Sequence, residues 1–274
     1  MAQELEDAKE YPEAEKIYQQ AIDAGSGEAA SKLSLMYWSY DPTKHARRMF
    51  ELDTIAAERN NAEGEVLLGI DYAIGGAPDV PTDPARGVAL YARAAQQNNA
   101  LGLELLGEAY IKGIGGLKTN FITAEGLLNR SAKLREVGAL IELGKLYSYG
   151  QGGIVEDHMK AIALLKEAAH MDENQGVPEL AKEYLYIGKP SLAVTLLMPY
   201  ASDGPYAAQA LLACLFHEGL GVRKNDAKAI ELLKRAKLGE PFCGDALIRL
   251  KQGKNDAWKT LELETYGDRL EKSP

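Results

Sequence analysis

Residues 137–169 read VGALIELGKLYSYGQGGIVEDHMKAIALLKEAA, and this stretch decides the fold. Leu143, Gly144 and Tyr147 lie on a first apolar run, which breaks at Gly150, Gly152 and Gly153. Glycine reaches the left-handed backbone that ends a helix. A second run starts near Asp157, whose side chain can accept from the orphan N–H groups of a helix start. From Ala161, the residues Leu164, Leu165, Ala168 and Ala169 keep the i, i+3, i+4, i+7 spacing of one apolar stripe. The stretch is a helix–turn–helix unit. Two helices of this length cannot bury both stripes alone, so the unit needs neighbours.

The neighbours appear when the unit is moved along the chain, because a fixed period of this size signals a solenoid. Leu106, Gly107, Tyr110, Gly113 and Gly115 repeat the first-helix pattern upstream, and Leu68, Gly69, Tyr72 and Gly75 repeat it again. Downstream come Leu180, Ala181 and Tyr184, then Leu212, Ala213, Phe216, Gly219 and Gly221. A weaker copy starts at Leu33 and Tyr37. Tyr72, Tyr110, Tyr147, Tyr184 and Phe216 are spaced by 38, 37, 37 and 32 residues. The short step comes from a shortened loop: Tyr147 to Ala161 spans 14 residues, Tyr184 to Ala193 only 9. Asp41, Asp83, Asn120, Asp157 and Asn225 sit at comparable places before the second helices and are read as their caps.

The pattern Leu-Gly-x-x-Tyr-x-x-Gly-x-Gly, a polar cap, then Ala-x-x-Leu-Leu-x-x-Ala-Ala resembles the Sel-one-like repeat, a relative of the tetratricopeptide repeat with a longer inter-helix loop. The match runs over roughly residues 28–250, and around Leu180 the short loop with Lys189-Pro190 is closer to a plain tetratricopeptide unit. The resemblance implies an all-α, right-handed α/α solenoid of about seven helix–turn–helix repeats. We expect one array over 1–274: a partial unit over 1–27, repeats over 28–250 and a capping helix over 251–274 that carries Trp258, Leu261 and Leu263. It also implies a non-enzymatic module that binds a protein or peptide partner in a concave groove. Such a module would serve as scaffold or regulator of a bacterial envelope or secretion system; the alternative is an immunity protein that blocks a toxin or a sensor.

In tetratricopeptide-like stacks the first helices line that groove. Carried onto this chain, the facing positions are Trp38, Ile70, Glu108, Ile111, Lys112 and Lys145, followed by Tyr149, Lys182, Tyr186 and His217. Glu104 and Glu142 stand beside them. Tyr149 and Tyr186, 37 residues apart, are expected on adjacent helices, either facing a partner or padding the seam between helices.

Other chemistry finds little support. The net charge of −9 disfavours non-specific nucleic-acid binding, which needs clustered cations. No apolar run approaches the ~20 residues of a membrane span. The Gly113–Gly116 stretch lacks the strand and the Gly-Lys-Ser/Thr of a phosphate loop. His45, His158, His170 and His217 are isolated, so neither a metal site nor a cofactor is expected. No Ser-His-Asp arrangement is suggested, and Glu104 with Glu108 reads as a solvated face rather than an acid–base pair. Cys214 and Cys243 are read either as a disulfide, if their Cα atoms approach to about 4.4–6.8 Å, or as two buried thiols. Tyr11 and Ala14 open a second helix so early that Met1 falls inside the first one. Either the array starts with a truncated unit, as in a cytoplasmic protein that begins at Met1, or the natural protein carries an export signal or lipid anchor upstream; a periplasmic or exported location is slightly favoured.

Overall fold

The structure, a computed structural model, describes residues 2–76 and 80–236, and among them there is no strand. The helices come in pairs. The first are α1 (Ala2–Asp7) with α2 (Tyr11–Asp23), α3 (Gly27–Tyr40) with α4 (Pro42–Glu58), and α5 (Ala62–Ile74) with α6 (Pro84–Gln96). Then come α7 (Ala100–Lys112) with α8 (Phe121–Lys133), and α9 (Val137–Tyr149) with α10 (His158–Met171). The last described are α11 (Glu173–Tyr186) with α12 (Pro190–Leu197), and α13 (Tyr206–Glu218) with α14 (Asp226–Ala236). Helix α1 is a short first helix, and Tyr11 and Ala14 open the second, as the register requires. Cys243 and the expected closing helix lie outside the described residues.

Five of the second helices, α4, α6, α8, α10 and α14, start where a side chain satisfies an orphan amide. Asp41, Asp83, Asn120, Asp157 and Asn225 accept from the backbone three residues on, at 2.9–3.1 Å. A further bond ties the inter-helix loop down. The amides of Asp83, Asn120, Asp157 and Asn225 donate to the carbonyls of Tyr72, Tyr110, Tyr147 and Phe216 at 2.8–2.9 Å. In the shortened loop, the Lys189 amide donates to the Tyr184 carbonyl at 2.8 Å. Loops of different length therefore close on the same carbonyl, which keeps the helix pairs equivalent.

The chain divides into two compact units, 1–139 and 140–274. In the first, Tyr18, Leu33, Met36, Tyr37, Leu52 and Ala56 form the core of the opening helices. Successive pairs come close through small residues: a Cβ on Gly64 would lie 2.2 Å from that of Ala56, and one on Gly102 would lie 2.7 Å from that of Ala94. Arginines join one second helix to the end of the preceding one. Arg59 donates to the Ile22 carbonyl at 2.8 Å, Arg93 to Ala57 at 3.1 Å and Arg130 to Ala95 at 3.3 Å. A cation there satisfies C-terminal carbonyls and suits the negative end of the helix dipole. Asn60 and Asn98 take the left-handed conformation that reverses the chain into the next first helix.

In the second unit the core gathers Ala181, Leu197, Leu211, Leu212, Leu215, Phe216, Leu232 and Leu233. A Cβ on Gly144 would sit 2.8 Å from Leu165 Cγ, so this motif glycine marks a close helix contact within a repeat. Gly176 is tighter still, with a Cβ 2.1 Å from the Ala169 nitrogen and 2.4 Å from the Ala168 carbonyl carbon. Cys214 is buried on α13.

Candidate partner-binding faces of the first helices

In the second unit, α9 and α11 repeat the same set of side chains. Glu142 and Lys145 pair at 2.8 Å, and Glu179 and Lys182 pair at 2.7 Å, both at i, i+3. Burial works to lower the Lys145 pKa, but the charges of Glu142 and Glu179 and the hydrogen bond to Glu142 outweigh it and hold the ammonium above its usual range. Lys145 is thus paired with Glu142 and also feels the charge of Glu179. One turn further on, the rings of Tyr149 and Tyr186 meet edge to face, with centroids 5.7 Å apart and planes at 87°. That arrangement suits the aromatic quadrupole.

A buried polar network underlies the tyrosines. Ser148 Oγ donates to Glu183 Oε2 at 2.6 Å, and His158 Nδ1 lies 2.9 Å from Glu183 Oε1. The other ring nitrogen of His158 is 2.8 Å from Glu156, and the imidazole meets the Tyr186 ring at 5.5 Å. Glu183 is 2% exposed, and its two oxygens take one bond from α9 and one from the start of α10. The carboxylate sits between the hydroxyl and the imidazole. Ser148 is therefore bonded to the carboxylate rather than to the imidazole, which is not the serine–histidine–carboxylate order of a catalytic triad. Glu179, Glu183 and Ser148 carry no periodic signal that sequence reasoning could use. Glu183 stands directly before the motif Tyr184, where a polar residue reads as solvated.

In the first unit, the facing positions are more apolar. Trp38 near the end of α3 is 63% exposed and Ile74 at the end of α5 is 70% exposed, while Ile70 is half-buried. On α7, Ile111 is half-buried, and Glu108 pairs with Lys112 at 2.5 Å. A fully buried carboxylate of this unit, Glu65, is held by Arg93 at 2.6 Å and by the Gln97 amide at 2.9 Å.

Two expected face residues are instead enclosed. Glu104 is 8% exposed because its carboxylate folds over Gly138, where a Cβ would lie 2.1 Å from Oε1. Only the missing side chain leaves it that space. His217 is 6% exposed, with Nδ1 2.7 Å from Asp226 at the start of α14. A buried imidazole takes such a partner in preference to remaining unpaired. His45 stacks on Tyr37 with centroids 4.2 Å apart. Among the described residues, no group of His, Cys, Asp and Glu is arranged to hold a metal ion, and no helix is long and apolar enough to cross a membrane.

Paired helices closed on a repeated carbonyl, with variable side chains on the first-helix faces, define an α/α repeat protein. The chain belongs to the Sel1 repeat family, whose profile matches residues 62–99, 100–135, 137–173 and 207–238. This is a family of helical protein-interaction modules. Its fold is similar to that of a Sel1 repeat protein from Oxalobacter formigenes, at 23% identity and a TM-score of 0.71, covering 86% of this chain and 94% of that one. It is also similar to c5321, a protective antigen of uropathogenic Escherichia coli with this fold, at 22% identity and a TM-score of 0.63. That alignment covers 93% of this chain and 56% of the antigen's chain. No curated protein matches the sequence.

Proposed function

We propose that the protein is a non-enzymatic interaction module that binds a protein or peptide partner on its first-helix faces, with Tyr149 and Tyr186 at the centre of the contact. One observation carries this reading: two half-buried tyrosines pack edge to face above a buried Ser148–Glu183–His158 network and beside two ion pairs. Rings held in this way lose little rotamer freedom on binding, which is one reason tyrosine is enriched in binding hot spots. Lys145, Lys182, Glu142 and Glu179 supply a polar rim of both signs. Trp38, Ile70, Glu108, Ile111 and Lys112 extend the reading to the first unit. Glu104 and His217 support the faces from beneath.

The envelope or secretion setting implied by the family resemblance is part of this proposal. Fractionation of the native host checks it, with recovery in the cytoplasm alone as the contrary result. The binding reading is tested by a photo-crosslinking amino acid placed at Lys182 or, as control, at Glu167 on the second helix α10. Crosslinks to one partner from Lys182 and none from Glu167 support the first-helix face. The reverse pattern removes it. A tight one-to-one complex with a toxin would specify the role as immunity, and looser complexes with several proteins would specify a scaffold.

A further inference from the structure

We infer that Asp53 and Asp71 share a single proton, and that this buried acid pair makes the packing of α3, α4 and α5 dependent on pH. Asp53 stands on α4 and is 3% exposed. Asp71 stands on α5, which packs along α4, and its Oδ1 lies against Gly76 in the turn after α5, where a Cβ would be only 1.8 Å away. Asp53 Oδ1 and Asp71 Oδ2 are enclosed and have no hydrogen-bond donor. The groups acting on Asp53 are the Ser34 hydroxyl from α3, and Asp71 and Glu63 from α5. Neither aspartate forms an ion pair with a lysine, arginine or histidine among the described residues.

Two carboxylates that act on each other, each with an enclosed oxygen lacking a donor and neither with a cation, do not both stay ionised. A proton kept on one turns an orphan oxygen into a donor towards the other. Burial is the main reason that the Asp53 carboxyl is pushed up to about 8; the Ser34 bond opposes the rise, and the charges of Asp71 and Glu63 add to it. Burial likewise pushes Asp71 up to about 6, against the bond to Asp53. The two titrate as a pair.

The sign follows from linkage. In the unfolded chain both groups ionise near the ordinary 3.8. Between there and about 8 the folded chain keeps a proton that the unfolded chain has released. Raising the pH through that window therefore favours unfolding, and the contribution is fully present only at the acid end. Ile70 and Ile74 flank Asp71 on α5, so loosening of this contact would reach the first-helix face of the same unit.

The direct test is a carboxyl carbon-13 NMR titration of aspartate-labelled full-length protein between about pH 4 and pH 9. One resonance should titrate near 8. It should vanish in Asp53→Asn, and Asp71 should then move towards the ordinary range. Thermal melts over the same range should show Asp53→Asn gaining on the wild type as pH rises, with Asp71→Asn as the second variant if the first fails to fold. Wild-type aspartates that all titrate below about 5, or a variant–wild-type difference that does not change with pH, would overturn the shared proton.

Discussion

The two units place different chemistry at the same register of the repeat. Two residues after the motif tyrosine, the first unit carries Ile74 and Lys112, and the second carries Tyr149 and Tyr186. Their buried carboxylates differ as well. Glu65 is held by a guanidinium and an amide reaching from α6, which can turn back to water if the acid is lost. Glu183 is held by Ser148, 2% exposed, and by the half-buried His158, so its loss strands an enclosed hydroxyl. The repeat fixes helix ends and crossings, while residues between the motif positions set what each face offers. In the second unit a buried network lies beneath the paired rings. On the function proposed above, the energetic centre of binding lies there.

The comparison can be broken first at the crossings. Gly176→Ala should cost about 3 kcal/mol, the upper end of what overpacking usually does, since its Cβ meets only helix backbone. Gly64→Ala in the first unit should cost less, because its Cβ meets one atom below 3.0 Å, the Ala56 Cβ, where that of Gly176 meets three. Equal shifts in denaturant midpoint would show that both crossings relax alike. Next, Glu183→Ala should destabilise by about 2 kcal/mol through the orphaned Ser148, against about 1 kcal/mol for Glu65→Ala. Near-ultraviolet circular dichroism should report lost tyrosine order only for Glu183→Ala. Arg130→Ala should remove about 0.5–1 kcal/mol from the first unit through the lost carbonyl contact. The smallest effect should be a gain: Gly126→Ala, with nothing near its Cβ on α8, should stabilise by about 0.5–1 kcal/mol in thermal melts.

Helix pairs, loop ends and caps were legible because each rests on a local rule. Gly75, Gly113 and Gly219 take positive φ at helix ends, and Asp157 accepts from the Lys160 amide as its place before a helix start requires. The spacing of 37 put Tyr149 and Tyr186 on neighbouring helices, and their rings are in contact. The links between repeats were not legible. Arg59, Arg93 and Arg130 act on carbonyls 35–37 residues back, and only the fold supplies those partners. The register puts Glu104 and His217 on the first-helix face, but it gives only the side of a helix, not what a neighbouring glycine or an aspartate at the next helix start will accommodate. Asp53 and Asp71 lie 18 residues apart with no motif between them, so nothing local announces a buried acid pair.

The central claim is that binding is concentrated on the face built over Glu183. Isothermal titration of an identified partner against two double variants tests it most directly. Tyr149→Ala with Tyr186→Ala should weaken binding by more than about 2 kcal/mol, while Trp38→Ala with Ile74→Ala should weaken it by less than about 1 kcal/mol, both with normal melting. Affinity that survives the tyrosine pair and falls with Trp38 and Ile74 would place the centre in the first unit and contradict this account.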